Sequence, residues 1–179
     1  MAVSKTVVGV FKSKGQAEKA VEELRAAGVD HREISVVTRD ERRERAEGGR
    51  GRREARDDEF EVADLDVQGQ DVGEGVTWGG GLGGLAGILA GAGALAVPGI
   101  GPILAAGPLA AVLTGAVTGG IAGGLVDYGI PTERGRDLER KVKEGGILAV
   151  VRAPEDRADR VADILRRHGA TDVESHDAR

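Results

Sequence analysis

At 179 residues the chain has room for one domain, or for one small domain with an appendage. A net charge of -5 gives no global case for nucleic-acid binding, the absence of cysteine excludes disulfides and thiolate chemistry, and 2% aromatic content leaves no base-stacking surface. The charge is also partitioned: charged residues fill the chain up to Glu74 and again from Asp127, whereas residues 75–126 carry none.

The opening MAVSKTVVGVFKSK has an apolar run too short for a secretion signal, and no small-residue cleavage site follows it. The expected location is therefore the cytoplasm, or the inner face of the cytoplasmic membrane. TVVGVFK, Thr6 to Lys12, reads as a buried strand. A helix is predicted from Lys14 to Ala27, because Ala17, Ala20, Val21 and Leu24 recur on one helical face and Gly28 stands at the stop position. Ser13 reads as its N-cap; with Lys12 and Lys14 it is also a candidate anion contact. EISVVTR, Glu33 to Arg39, is a second strand.

Residues 40–75 form a charged tract in which arginine and acid are mixed without apolar periodicity. This composition predicts a solvated, disordered linker. Its GGRGRR segment is similar to RNA-binding tails, but neighbouring acids cancel the field and no aromatics interleave, so nucleic acid is not the expected partner.

Residues 76–128 change character. Glycine is mixed here with Ala, Leu, Ile and Val, not with the serine of a flexible linker. Gly79, Gly83, Gly87 and Gly91 recur every fourth residue, and Gly115, Gly119 and Gly123 repeat the spacing. Four-residue steps place each set on one helical stripe, where close helix packing needs small residues. Pro98, Pro102 and Pro108 lie between the two arms. The tract is thus predicted to be a glycine-zipper helical hairpin with arms from Thr77 to Ala96 and from Pro108 to Asp127. Each arm would be about 30 Å long, roughly the thickness of a bilayer core. Trp78 and Tyr128 stand at its open end as candidate membrane-interface anchors. Glycine costs about 1 kcal/mol relative to alanine in a water-exposed helix, so lipid, the uncovered face of a sheet or another copy of the chain must cover the arms.

Residues 129–179 hold a connecting helix, TERGRDLERKVKEGG, and then a second strand–helix–strand unit. Its strands are Ile147 to Ala153 and the weaker TDVESH; its helix opens at Pro154 with Glu155 and Asp156 and stops at Gly169. Leu165, Arg166 and Gly169 repeat the offsets of Leu24, Arg25 and Gly28. Residues 1–39 are thus a first βαβ half and residues 129–179 contain the second. Together they predict an α+β fold: a ferredoxin-like split βαβ sandwich of four antiparallel strands with two helices on one face, interrupted by the hairpin.

The segment VVGVFKSKGQAEKAVEELRAAGVDHREISVVTRD, the glycine-rich hairpin and YGIPTERGRDLERKVKEGGILAVV together resemble the general stress protein 17M-like, or YflT-like, family of bacterial stress-induced proteins. The resemblance implies induction by heat, cold, salt or general stress, and it implies no activity and no catalytic residues. Gly135 and Arg136 stand where family members often carry alanine and aromatic residues.

No catalytic pattern emerges. His31, His168 and His176 have no metal-ligand spacing, and Ser13, Ser35 and Ser175 lack a nucleophile-elbow context. Gly79, Gly81 and Gly84 mimic a dinucleotide fingerprint, but no strand precedes them. The expectation is a non-enzymatic stress protein without cofactors. Its hairpin would mediate homo-oligomer formation, membrane-lipid association or both. The alternative is a small-ligand sensor, on the analogy of ferredoxin-like domains that bind metabolites.

Overall fold

The computed structural model describes residues 4–40, 93–97, 100–115 and 119–178. Strand β1 (Ser4–Phe11), helix α1 (Lys14–Ala26), a short 3-10 turn (His31–Glu33) and strand β2 (Ile34–Arg39) come first. The insertion contributes β3 (Gly93–Val97), β4 (Gly101–Ala106), α2 (Pro108–Gly115) and α3 (Gly120–Val126). The chain closes with α4 (Thr132–Lys143), β5 (Ile147–Pro154), α5 (Glu155–Arg167) and β6 (Thr171–Asp177).

The fold is α+β, built on one antiparallel sheet in the order β3-β4-β2-β5-β1-β6. The two βαβ halves interleave. β5, from the second half, lies between β1 and β2 and pairs antiparallel with both, as in Val7↔Val151 and Ile34↔Val151. β6 closes the far side of β1, with a register shift opposite Val8 and Val10.

Local signals account for both helices of the βαβ units. The Ser13 side chain accepts a hydrogen bond from the Gln16 backbone N–H at 3.3 Å, so it caps α1. Glu155 and Asp156 occupy the first turn of α5 and Arg166 and Arg167 the last, which suits the helix dipole at both ends. Ala17, Ala20, Val21 and Leu24 of α1 meet Val161, Ala162 and Leu165 of α5 in one buried cluster with Val7, Phe11, Ile34, Val36 and Val151.

Two features differ from the sequence expectation. The sheet has six strands, not four, and helices cover both of its faces. The second cluster joins Val8, Val10, Val37, Leu148 and Val150 to Leu109, Leu113, Ile121, Leu125, Leu138 and Val142. The reason lies in the strands: successive residues Val7 and Val8, Val36 and Val37, and Val150 and Val151 are all buried, so both faces are apolar and both need a cover. The first predicted arm, drawn as a helix as far as Ala96, is also corrected. Gly93–Val97 is a strand paired with Gly101–Ala106, from Gly93↔Ala105 to Val97↔Gly101. Pro102 stands at the start of β4 and Pro108 at the start of α2, positions where a proline without an N–H is tolerated. Asp40, placed in the charged tract, is buried and its N–H donates to the Pro102 carbonyl at 3.0 Å, continuing the β2–β4 pairing.

Phe11 and Leu24 are fully buried in the first cluster. Phe11→Ala or Leu24→Ala should lower the unfolding free energy by about 2–5 kcal/mol, read as an earlier urea midpoint with an unchanged slope.

Candidate functional site

The glycine-rich tract is the most unusual part of the chain, and its described second half lies on the sheet. The docking begins at Gly107, between β4 and α2, where φ is +84°. A Cβ there would collide with the Ile34 carbonyl oxygen and stand 2.8 Å from Ser35 Cα. Only glycine both adopts this backbone and allows so close an approach. The neighbouring Ser35 hydroxyl accepts a hydrogen bond from the Leu109 N–H at 3.1 Å, capping α2 from the sheet. Leu109 and Leu113 then enter the core.

Helix α3 has no capping side chain of its own, because Gly119 precedes it. Glu139 of α4 takes that role: its Oε2 accepts from the Ala122 N–H at 2.7 Å. A carboxylate suits the positive end of a helix. Gly120, at φ +59°, makes the room, since a Cβ there would stand 2.9 Å from the same Oε2. Gly135 brings the two helices together: its added Cβ would lie 3.1 Å from both Cα and O of Ala122. Gly124 approaches Leu113 of α2 in the same way, at 2.9 Å.

The predicted packing glycines are distributed as follows. Gly79, Gly83, Gly87 and Gly91, with Trp78, lie outside the described residues. Gly115 ends α2. Gly119 and Gly123 stack on one another, 3.1 Å from an added Cβ on the first to Cα of the second. An added Cβ on Gly123 meets nothing within 4 Å among the described residues. The close contacts instead fall on Gly124 and Gly135. Gly135 sits three residues before Leu138 and seven before Val142, on the apolar stripe of α4, and that spacing is the signal that identifies it as a packing position.

Tyr128 is corrected as a membrane-interface anchor. It is 2% exposed and sits in the second core cluster, so its ring has no access to a bilayer surface. Its phenol contacts Ser35, and the Arg152 guanidinium lies 4.3 Å from its ring centroid. Burial pushes the phenol pKa up, against the opposing pull of Arg152. No described helix is long and apolar enough to cross a membrane.

Helix α4 is held on the far edge of the sheet by charge. Arg134 contacts Glu174, Asp172 and Asp137, with its Nε 2.9 Å from Glu174 Oε1, and Lys141 pairs with Asp172. Asp172 has a φ of +54°, at the register shift that turns its carboxylate toward α4. The Lys141 contact, ahead of the others, holds the Asp172 carboxyl below its usual range, and Arg134 does the same for Glu174. His31, His168 and His176 are spread over three places: beside Asp30, against Glu23 and beside Glu174. Among the described residues no His, Asp and Glu group could hold a metal.

Three outcomes follow from this geometry. Glu139→Ala should lower stability by about 1–2 kcal/mol, because the Ala122 N–H loses its charged acceptor; Glu139→Gln should recover part of the loss in the same denaturation experiment. Gly135→Leu should cost more, because helix α3 must move away from α4, and its Tm should fall further than that of Glu139→Ala. The pH dependence is set by the sign of the carboxyl shifts. Depressed folded-state pKa values contribute stability that is complete above the usual carboxylate range and is lost as the pH falls through the depressed values. Arg134→Gln should therefore reduce stability near neutrality and flatten the fall in stability below about pH 4, measured by urea titrations across pH.

Residues 6–55 match the family model described as the heat induced stress protein YflT domain. No curated protein and no solved structure matches the chain. The matched residues begin in β1, take in α1 and β2, and run on beyond Arg39. Over residues 6–55 the chain is therefore similar to the heat induced stress protein YflT domain.

Proposed function

We propose that this chain is a non-enzymatic general-stress protein that self-associates through its glycine-rich insertion. The YflT domain supports the stress assignment. The interleaved order β2-β5-β1-β6, with α1 and α5 on one face, supports reading the two halves as a ferredoxin-like split βαβ sandwich, extended at the β2 edge by the β3–β4 hairpin.

The observation that carries the self-association reading is Gly123. Helix α3 buries Ile121 and Leu125 against the sheet, and Gly119 and Gly123 lie on the opposite side of the helix, one turn apart. A Cβ at Gly123 has open space among the described residues, and a glycine at that place allows another helix to approach closely. Glycine there lowers helix propensity, a cost that a closely packed partner helix offsets.

Gly123→Leu isolates that role. The added Cβ meets nothing described within 4 Å in the protomer, and leucine improves helix propensity by about 0.5–1 kcal/mol. The variant should remain folded by circular dichroism while its mass by light scattering falls from the oligomer to the monomer. An unchanged mass in both proteins, with and without detergent, would sink the proposal. Flotation of the parent chain with liposomes would replace the second copy by lipid as the partner.

A further inference from the structure

The end of the sheet that holds Gly107, where β2 starts and β5 ends, carries a feature that self-association does not use. A cleft of about 670 Å³ opens between the loop after α1 and the start of α5, and Val29, Asp30, Glu33, Arg152 and Arg157 line it. That volume falls within the range of small-molecule sites.

Among the described residues Arg152, Arg157 and Glu33 make no ion pair, although two arginines and two acids share the same cleft. Arg152 goes further: its Nε is buried and has no hydrogen-bond partner. Its cross-strand neighbour Thr6 is fully buried, and the Thr6 Oγ1 is also without a partner. Buried donors without partners are rare in folded proteins, and each costs about 1–3 kcal/mol. The Tyr128 ring, 4.3 Å from the guanidinium carbon, covers one side of the group and supplies no hydrogen-bond acceptor to its Nε. On the other side of the cleft, Asp30 already accepts from the Arg32 N–H and contacts His31, whereas Glu33 has no such partner.

We infer that this cleft binds a small zwitterion, with its carboxylate on Arg152 and Arg157 and its ammonium group on Glu33. A carboxylate satisfies the guanidinium in the bidentate geometry that arginine favours. The ammonium group explains why acids line the same cleft: a simple anion would be repelled by Glu33 and Asp30, and a simple cation by the two arginines.

The test is binding to the full-length protein, followed by chemical-shift changes and calorimetry, with L-alanine, L-glutamine and L-arginine as zwitterionic probes. Acetate, inorganic phosphate and methylammonium supply the single charges. At least one zwitterion should bind at least tenfold more tightly than acetate, phosphate and methylammonium. Arg152→Gln and Arg157→Gln should each weaken it about tenfold or more, and Glu33→Gln should weaken the zwitterion while leaving acetate unchanged or tighter. Arg157 is exposed, so its variant keeps the test valid should Arg152→Gln fail to fold. Absence of binding by all three amino acids at 10 mM overturns the inference. So does binding that the Arg157 and Glu33 variants leave untouched, or acetate or phosphate binding as tight as that of the zwitterions. Because Gly123→Leu does not touch this cleft, it should bind the probe normally whether or not the chain self-associates.

Discussion

The structure depends on a sheet that is apolar on both sides. β1, β2 and β5 bury consecutive residues, so no single layer of helices can remove their side chains from water. At about 25 cal/mol per Å² of apolar surface, leaving one face open would forfeit the burial of Val8, Val10, Val37, Leu148 and Val150 together. Helices α1 and α5 close one face. The other must be closed by something apolar, and the uncharged insertion supplies it together with Leu138 and Val142 of α4.

How the insertion does so explains its glycines. Gly107 lets the chain leave β4 against the backbone of β2, Gly120 makes room for the Glu139 carboxylate at the start of α3, and Gly135 lets α3 and α4 meet at backbone distance. Glycine-rich helices that would fray in water are held by contacts from outside the tract: a serine hydroxyl from β2 and a carboxylate from α4 satisfy the first N–H groups of α2 and α3. Charge then fastens α4 to the edge strand through Arg134, Lys141, Asp172 and Glu174. The apolar layer is thus clamped at its helix ends by polar groups, which satisfies backbone donors that burial would otherwise strand.

The same topology bears on the recognised domain. Residues 6–55 contain β1 and β2, but these strands do not pair with each other; β5 lies between them. The YflT segment therefore completes its sheet only with the second half of the chain. A segment more than a hundred residues away in sequence supplies the strand between β1 and β2, so the insertion and the matched segment share one sheet.

Much of this was legible in the chain itself. Alternation of apolar runs and helical periodicity located β1, α1, β2, α4, β5, α5 and β6 within a residue or two, because those signals are local: Ser13, Gly28, Pro154 and Gly169 act on their own neighbours. The matching offsets of Leu24 and Leu165 also disclosed the paired halves. What the sequence left open was which surface covers the insertion. What it misassigned were the strands Gly93–Val97 and Gly101–Ala106, the second arm, which is two helices (Pro108–Gly115 and Gly120–Val126) and not one, and Tyr128. Glycine and alanine have too little side chain to record whether a helix or a strand surrounds them, and a tyrosine beside an apolar tract reads alike at a membrane and in a core. The decision was made by residues remote in sequence: Ile103 and Leu104 of β4 pair with β3, and Arg152 and Ser35 receive Tyr128. Local chemistry determined the elements of this protein; only long-range register and the burial of a two-sided sheet decided what its glycines face.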